Sequence, residues 1–378
     1  MKKVIIWLIL TLGISLLTAC GNNGMGTYSS NQTGDNPTIS QQITSEPSEQ
    51  NTGNNDFLSP EYDYATNELK LTNLSTGTTV SSYSFESAQT PLLMDKTSQG
   101  AIVMLSSQAA TDMQNTGGIT IISGNSSVET LYYWLFDDEL NLVEQYELTD
   151  ETLVNGLGGY VFAAAPDGQS LVYAEGSHLY QYTFATQKLT EITSTMSEAV
   201  YYEGIAYSDS GTYLAFFGSL IDQEKDTAYG VINLDDGKSA VFSASGFSGS
   251  ILAINGEYAA ISDTVLPNSM GGVKQVGSVL FLDLAQMQGK EIHVDSNEES
   301  GLAVVSEDGQ YIVTCAGGDS SSGIVRGYHV SDGEKVVEQN YTVDKNCNPY
   351  AILVIGRSAY AVLGTGNGNV LSEMVDLP

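Results

Sequence analysis

A nine-residue stretch recurs from residue 165 onward. In Ala165-Pro166-Asp167-Gly168-Gln169-Ser170-Leu171-Val172-Tyr173, turn residues give way to β-favouring apolar ones. Proline fixes φ, aspartate offers a local acceptor and glycine tolerates positive φ, so the first half reads as a tight turn. Leucine, valine and tyrosine then suit a pleated, half-buried strand. Ser208-Asp209-Ser210-Gly211-Thr212-Tyr213-Leu214-Ala215-Phe216 and Ser306-Glu307-Asp308-Gly309-Gln310-Tyr311-Ile312-Val313-Thr314 repeat the pattern. Looser copies run over Ile254–Ala259 and Ile355–Tyr360. Their glycines, 168, 211, 256, 309 and 356, are spaced by 43, 45, 53 and 47 residues. Repeats of that length are stacked supersecondary units, and four-stranded propeller blades fit best.

A second unit, strand–polar turn–strand, alternates with the first. Leu69–Gly77, Tyr132–Asp138, Leu179–Thr186, Gly230–Lys238, Val279–Leu284 and Arg326–Gly333 are its copies. The first hairpin has no turn-plus-strand unit before it, and the last such unit has no full hairpin after it. Joined in a ring they make one blade, so the expected fold is an all-β, six-bladed β-propeller over residues 57–378. Val370–Leu377 reads as one further strand, and seven blades is the alternative.

These units resemble the WD40-like repeats of TolB-type propellers, a resemblance that covers residue 68 to the end. The three Asp-Gly or Asp-Ser-Gly turns carry it. The α/β domain that precedes the TolB propeller has no counterpart, so a role in a Tol complex is not implied. The Gly-His and Trp-Asp pair of eukaryotic WD40 repeats is absent as well.

At the other end, Lys2 and Lys3 precede an apolar run, Val4–Leu17, that closes on Leu17-Thr18-Ala19-Cys20. A basic start, a short apolar stretch and a small-residue exit describe an export signal over residues 1–19. A spanning helix needs roughly 20 apolar residues. The last four residues resemble a bacterial lipobox, which implies lipidation of Cys20 and attachment to the outer face of a membrane. The alternative is an ordinary cleaved signal. Residues 20–56 are Asn, Gly, Ser, Thr, Gln and Pro with little to bury, and are expected to be a disordered linker.

Without Lys2 and Lys3 the chain carries 11 basic and 45 acidic residues, a formal −34. Phosphate backbones are repelled by such a surface, which argues against nucleic acid as a partner. Cations are favoured. Export permits a disulfide between Cys315 and Cys347 across a loop of about 30 residues, worth roughly 3–4 kcal/mol if unstrained. Two buried thiols are the other option.

His178, His293 and His329 are far apart on predicted strands, and no familiar hydrolase motif or P-loop occurs. Calcium is the one metal to weigh, because Asp344–Asn348 and Asp295–Glu299 place oxygen side chains alternately. Pro349 and Ile355 replace the glycine and glutamate of an EF-hand loop, so solvated turns explain both runs better. In a blade with strands a to d, the a–b and c–d turns share one face, and the b–c loops share the other with the links between blades. Long b–c connections are read at 106–128, 218–227, 263–276 and 316–323. Loops on a rigid scaffold are the usual carriers of binding. Asp112, Asp222, Glu224, Asp263, Asp319, Tyr201 and Tyr202 are therefore the candidate contacts for an envelope protein or carbohydrate. Binding is favoured over catalysis. A propeller enzyme acting on polysaccharide or peptide and a subunit of an envelope or secretion complex are the rivals.

Overall fold

A computed structural model of the chain describes residues 57–108, 131–148, 161–193, 200–220, 223–245, 247, 251–262, 277–295, 302–317, 322–342, 348–365, 368–372 and 374–378. They form seven antiparallel sheets, the blades of a β-propeller. Blade 1 contains β1 (Leu58–Asp63), β2 (Glu68–Asn73) and β3 (Thr78–Ser84). Blade 2 contains β4 (Gln89–Lys96), β5 (Ile102–Gln108), β6 (Leu131–Phe136) and β7 (Leu142–Leu148). Blade 3 follows with β8 (Phe162–Ala164), β9 (Ser170–Glu175), β10 (His178–Thr183) and β11 (Lys188–Glu191). Blade 4 has β12 (Val200–Tyr207), β13 (Tyr213–Leu220), β14 (Gln223–Asn233) and β15 (Ser239–Ser245). Blade 5 has β16 (Ile251–Asn255), β17 (Tyr258–Ser262), β18 (Ser278–Asp283) and β19 (Gln288–His293). Blade 6 has β20 (Leu302–Val305), β21 (Tyr311–Gly317), β22 (Ser322–His329) and β23 (Lys335–Thr342). Blade 7 ends the set with β24 (Asn348–Ile355), β25 (Ser358–Thr365), β26 (Gly368–Leu371) and β27 (Val375–Asp376).

The ring thus has seven blades, the alternative that the sequence left open, and the first expectation of six is corrected. The first hairpin and the last unit do not merge, because each finds further strands of its own. Residues 58–63 pair with β2 from Leu58↔Asn73 to Asp63↔Glu68. β25 is completed by β26 and then β27, which pair with its two halves in turn. Tyr62, near the end of β1, accepts the Gln89 N–H at the start of β4 over 3.0 Å, so β1 runs opposite to β4. It is a second-rank strand.

The same turn opens most blades. In each, the glycine N–H bonds the carbonyl three residues back: Gly168 to Ala165, Gly211 to Ser208 and Gly309 to Ser306. Gly100 to Thr97 is a further copy, with φ +87°, that the sequence spacing missed. The strands after these turns fill the gaps between blades. Val103, Leu105, Tyr133, Leu171 and Tyr173 pack between blades 2 and 3, and Ala215, Phe217, Val231, Ile261 and Leu280 between blades 4 and 5. Phe216 is fully buried. Each such side chain contributes about 1.5–3 kcal/mol.

Two of the four long connections need correcting. Residues 218–227 are mostly ladder, because Ser219 pairs with Thr227 and Leu220 with Gln223 across a bulge. Gly317 likewise pairs with Gly323. The long b–c connections are those between Gln108 and Leu131 and between Ser262 and Ser278.

Candidate functional site

The two faces of the ring are built differently. On the turn face, the a–b turns are tied to one another. The Ser98 hydroxyl donates to the Asp209 carbonyl (3.0 Å), linking the turns of blades 2 and 4. Asp209 N–H bonds the Gly256 carbonyl (3.1 Å), and Gly256 N–H returns to Asp209 Oδ2 (2.8 Å). Ser210 N–H reaches Glu257 Oε1 (3.3 Å), and Asn255 Nδ2 donates to the Val305 carbonyl (3.0 Å). These bonds fix four turns around one mouth.

That mouth is acidic. Asp95, near the end of β4, is exposed yet crowded by surrounding protein. Desolvation pushes its carboxyl up to about 6, against a bond from the Lys96 N–H, and the charge of Asp209 adds to the rise. Asp209 is raised too, first by desolvation, while its bond from Gly256 pulls the other way. Oε2 of Glu257 is buried with no hydrogen-bond partner among the described residues. Carboxyls that keep a proton near neutrality can donate it. Among the described residues no group of three or more His, Cys, Asp or Glu side chains is placed to hold a metal ion. Asp95 escaped the sequence reading because it sits inside an apolar strand, Leu92-Leu93-Met94-Asp95. The turn that follows it, Thr97–Gly100, is the signal that could have found it.

The histidines lie elsewhere. His178 Nδ1 is 2.8 Å from Glu191 Oε1 on the outside of blade 3, and His293 is exposed at the end of β19. The His329 ring stacks on Tyr311, with centroids 4.9 Å apart.

On the opposite face, the predicted contacts fall mostly outside the described residues: Asp112, Asp222, Asp263 and Asp319 do. Glu224 is in β14. The structure separates Tyr201 from Tyr202. Tyr201 is 57% exposed, whereas Tyr202 is buried with its ring edge-on to Phe216 at 5.4 Å. Alternation along β12 makes the difference, one side chain per face. Next to them Glu203 is half-buried, which raises its carboxyl, and it accepts the Ser219 hydroxyl at 3.1 Å. Of the cysteines, Cys20 and Cys347 are outside the described residues. Cys315 is buried with Sγ 3.2 Å from Tyr341 Oη, and burial lifts its thiol to about 11. The 344–347 run lies outside too, while Asp295 accepts Lys335 Nζ at 2.8 Å.

No protein-family model and no curated protein matches the chain. Among solved structures it is similar to Hsv2 of Kluyveromyces lactis, at 10% identity over 73% of this chain and 72% of that one, with a TM-score of 0.45. Hsv2 of Kluyvelomyces marxianus is similar at 10% identity over 73% and 74%, also with a TM-score of 0.45. A chain of a mitotic checkpoint complex matches at 8% identity over 57% and 63%, with a TM-score of 0.36. The fold rests on the strand pairing above, not on these loose superpositions.

Proposed function

We propose that the chain is an exported, lipid-anchored propeller of the TolB-repeat type that binds an envelope protein or carbohydrate through its b–c face. The single observation behind this reading is the asymmetry of the two faces. On one, the turns bond to each other and are spent on holding the ring. On the other stand the two long connections, 109–130 and 263–277, with the exposed ring of Tyr201 on the same side. Loops of that length carry little core area, and their closure entropy grows slowly with length, so they are free to serve recognition. Cys20 supplies the anchor and residues 20–56 the tether. The test is a pull-down from envelope extract with the intact body and with variants shortened over Ala109–Ser127 and over Asp263–Gln275. Both variants are expected to stay folded and to lose the partners recovered by the intact chain. Undiminished recovery by both overturns the reading.

A further inference from the structure

We propose that residues 374–378 act as a clasp that fixes blade 7 to blade 6, and that releasing it lets blade 7 move while the central blades stay closed. Three sets of contacts converge on these five residues. Val375 and Asp376 pair with Ala359 and Ser358 of β25, beyond the point where the pairing of β26 stops. Leu377 N–H bonds the Arg357 carbonyl (2.8 Å), and the Arg357 guanidinium reaches back to the Pro378 carbonyl. That same carbonyl accepts the hydroxyl of Tyr311, which belongs to blade 6, over 2.7 Å.

The side chains cross the same boundary. Val375 and Leu377 are buried in one cluster with Val313 and Val325 of blade 6 and Ala359 and Ala361 of blade 7. A β-carbon at Gly327 would lie 2.7 Å from Val337 Cγ1 and 2.9 Å from Leu377 Cδ2, so the missing side chain on β22 leaves the socket that Leu377 shares with Val337. The other junctions that carry described core clusters, from blades 1 and 2 through blades 5 and 6, are filled by residues of their own strands and of the turns and links beside them. Toward blade 1, blade 7 presents the Tyr360 ring, edge-on to Phe57 at 5.6 Å. Among the described residues blade 7 is therefore held chiefly on its blade 6 side, by Val354 of β24 and by the clasp, which spans that side in one short segment. Local opening in proteins follows such units of few buried contacts.

Hydrogen exchange of the full folded chain tests this directly. Leu377→Ala empties the socket and should speed amide exchange in β24 and β25 at least about tenfold, leaving β12–β15 unchanged. Leu377→Met, which keeps the volume, should match the parent chain. Equal acceleration in every blade, or none in β24 and β25, overturns the proposal. Should the alanine variant not fold, Leu377→Val provides the smaller cut, with the same localised pattern required.

Discussion

Asp95 holds its proton more tightly in the folded chain than an unfolded aspartate does, at about 6 against 3.8. A raised carboxyl stabilises the fold fully below the unfolded value and loses that contribution as pH climbs through the folded one. Between pH 4 and 6 this side chain therefore makes the propeller less stable as pH rises, and Asp209, shifted the same way, adds to the trend. Asp95→Asn keeps the shape and removes the titration. Its melting temperature should fall less across that window and exceed the parent's at pH 7, by about 2 °C. Parallel profiles for the two proteins would count against the assignment. Little of this was legible beforehand. An aspartate near the end of a strand looks like any solvated residue until the ring closes around it and brings Asp209 from two blades away.

Turns and strands show which signals survive in a sequence and which do not. Gly168 has φ +69°, and a β-carbon there would sit 2.5 Å from Leu135 Cδ1 and 3.2 Å from Val103 Cγ1. Gly77 has a similar φ of +65° with nothing within 4 Å. Gly168→Ala should cost about 2–3 kcal/mol and Gly77→Ala about 1, because only the first adds overpacking to backbone strain. Urea midpoints at constant m-value measure the difference. Turn chemistry of this kind was readable because it is local. The copy at Thr97–Gly100 was missed because residues 109–130 stretch the glycine spacing from Gly100 to Gly168 to 68. β1 carries neither repeat unit, and its Pro60 is a residue that central strands exclude. Its nitrogen points away from β2, since Phe57, three residues earlier and on the other parity, accepts the Leu74 N–H. At that edge the absent donor costs nothing. Those two omissions put six blades ahead of the seven kept as the alternative. Of the candidate contacts, Tyr201 and Tyr202 were paired in sequence and parted by the pleat, which a one-residue alternation decides only once the buried face is known.

For the whole molecule, a chain with 45 acidic residues gains nothing from anionic lipid headgroups, so the proposed membrane attachment rests on acyl chains alone. Cys20→Ser should abolish fatty-acid labelling of this protein's band, and persisting label would refute the anchor. Two chains on one residue suffice for stable attachment. As the flexible coil its composition predicts, the linker of residues 21–56 would span roughly 30–35 Å r.m.s.. Where it joins the body follows from the Phe57–Tyr360 contact. Tyr360 is the third residue of β25, next to the turn face, and Phe57 bonds Leu74 at the turn-face end of β2. On the proposed lipid anchor, a leash tied at that point would hold the propeller like a buoy on its line, with the interlocked turns toward the bilayer and the long connections away from it.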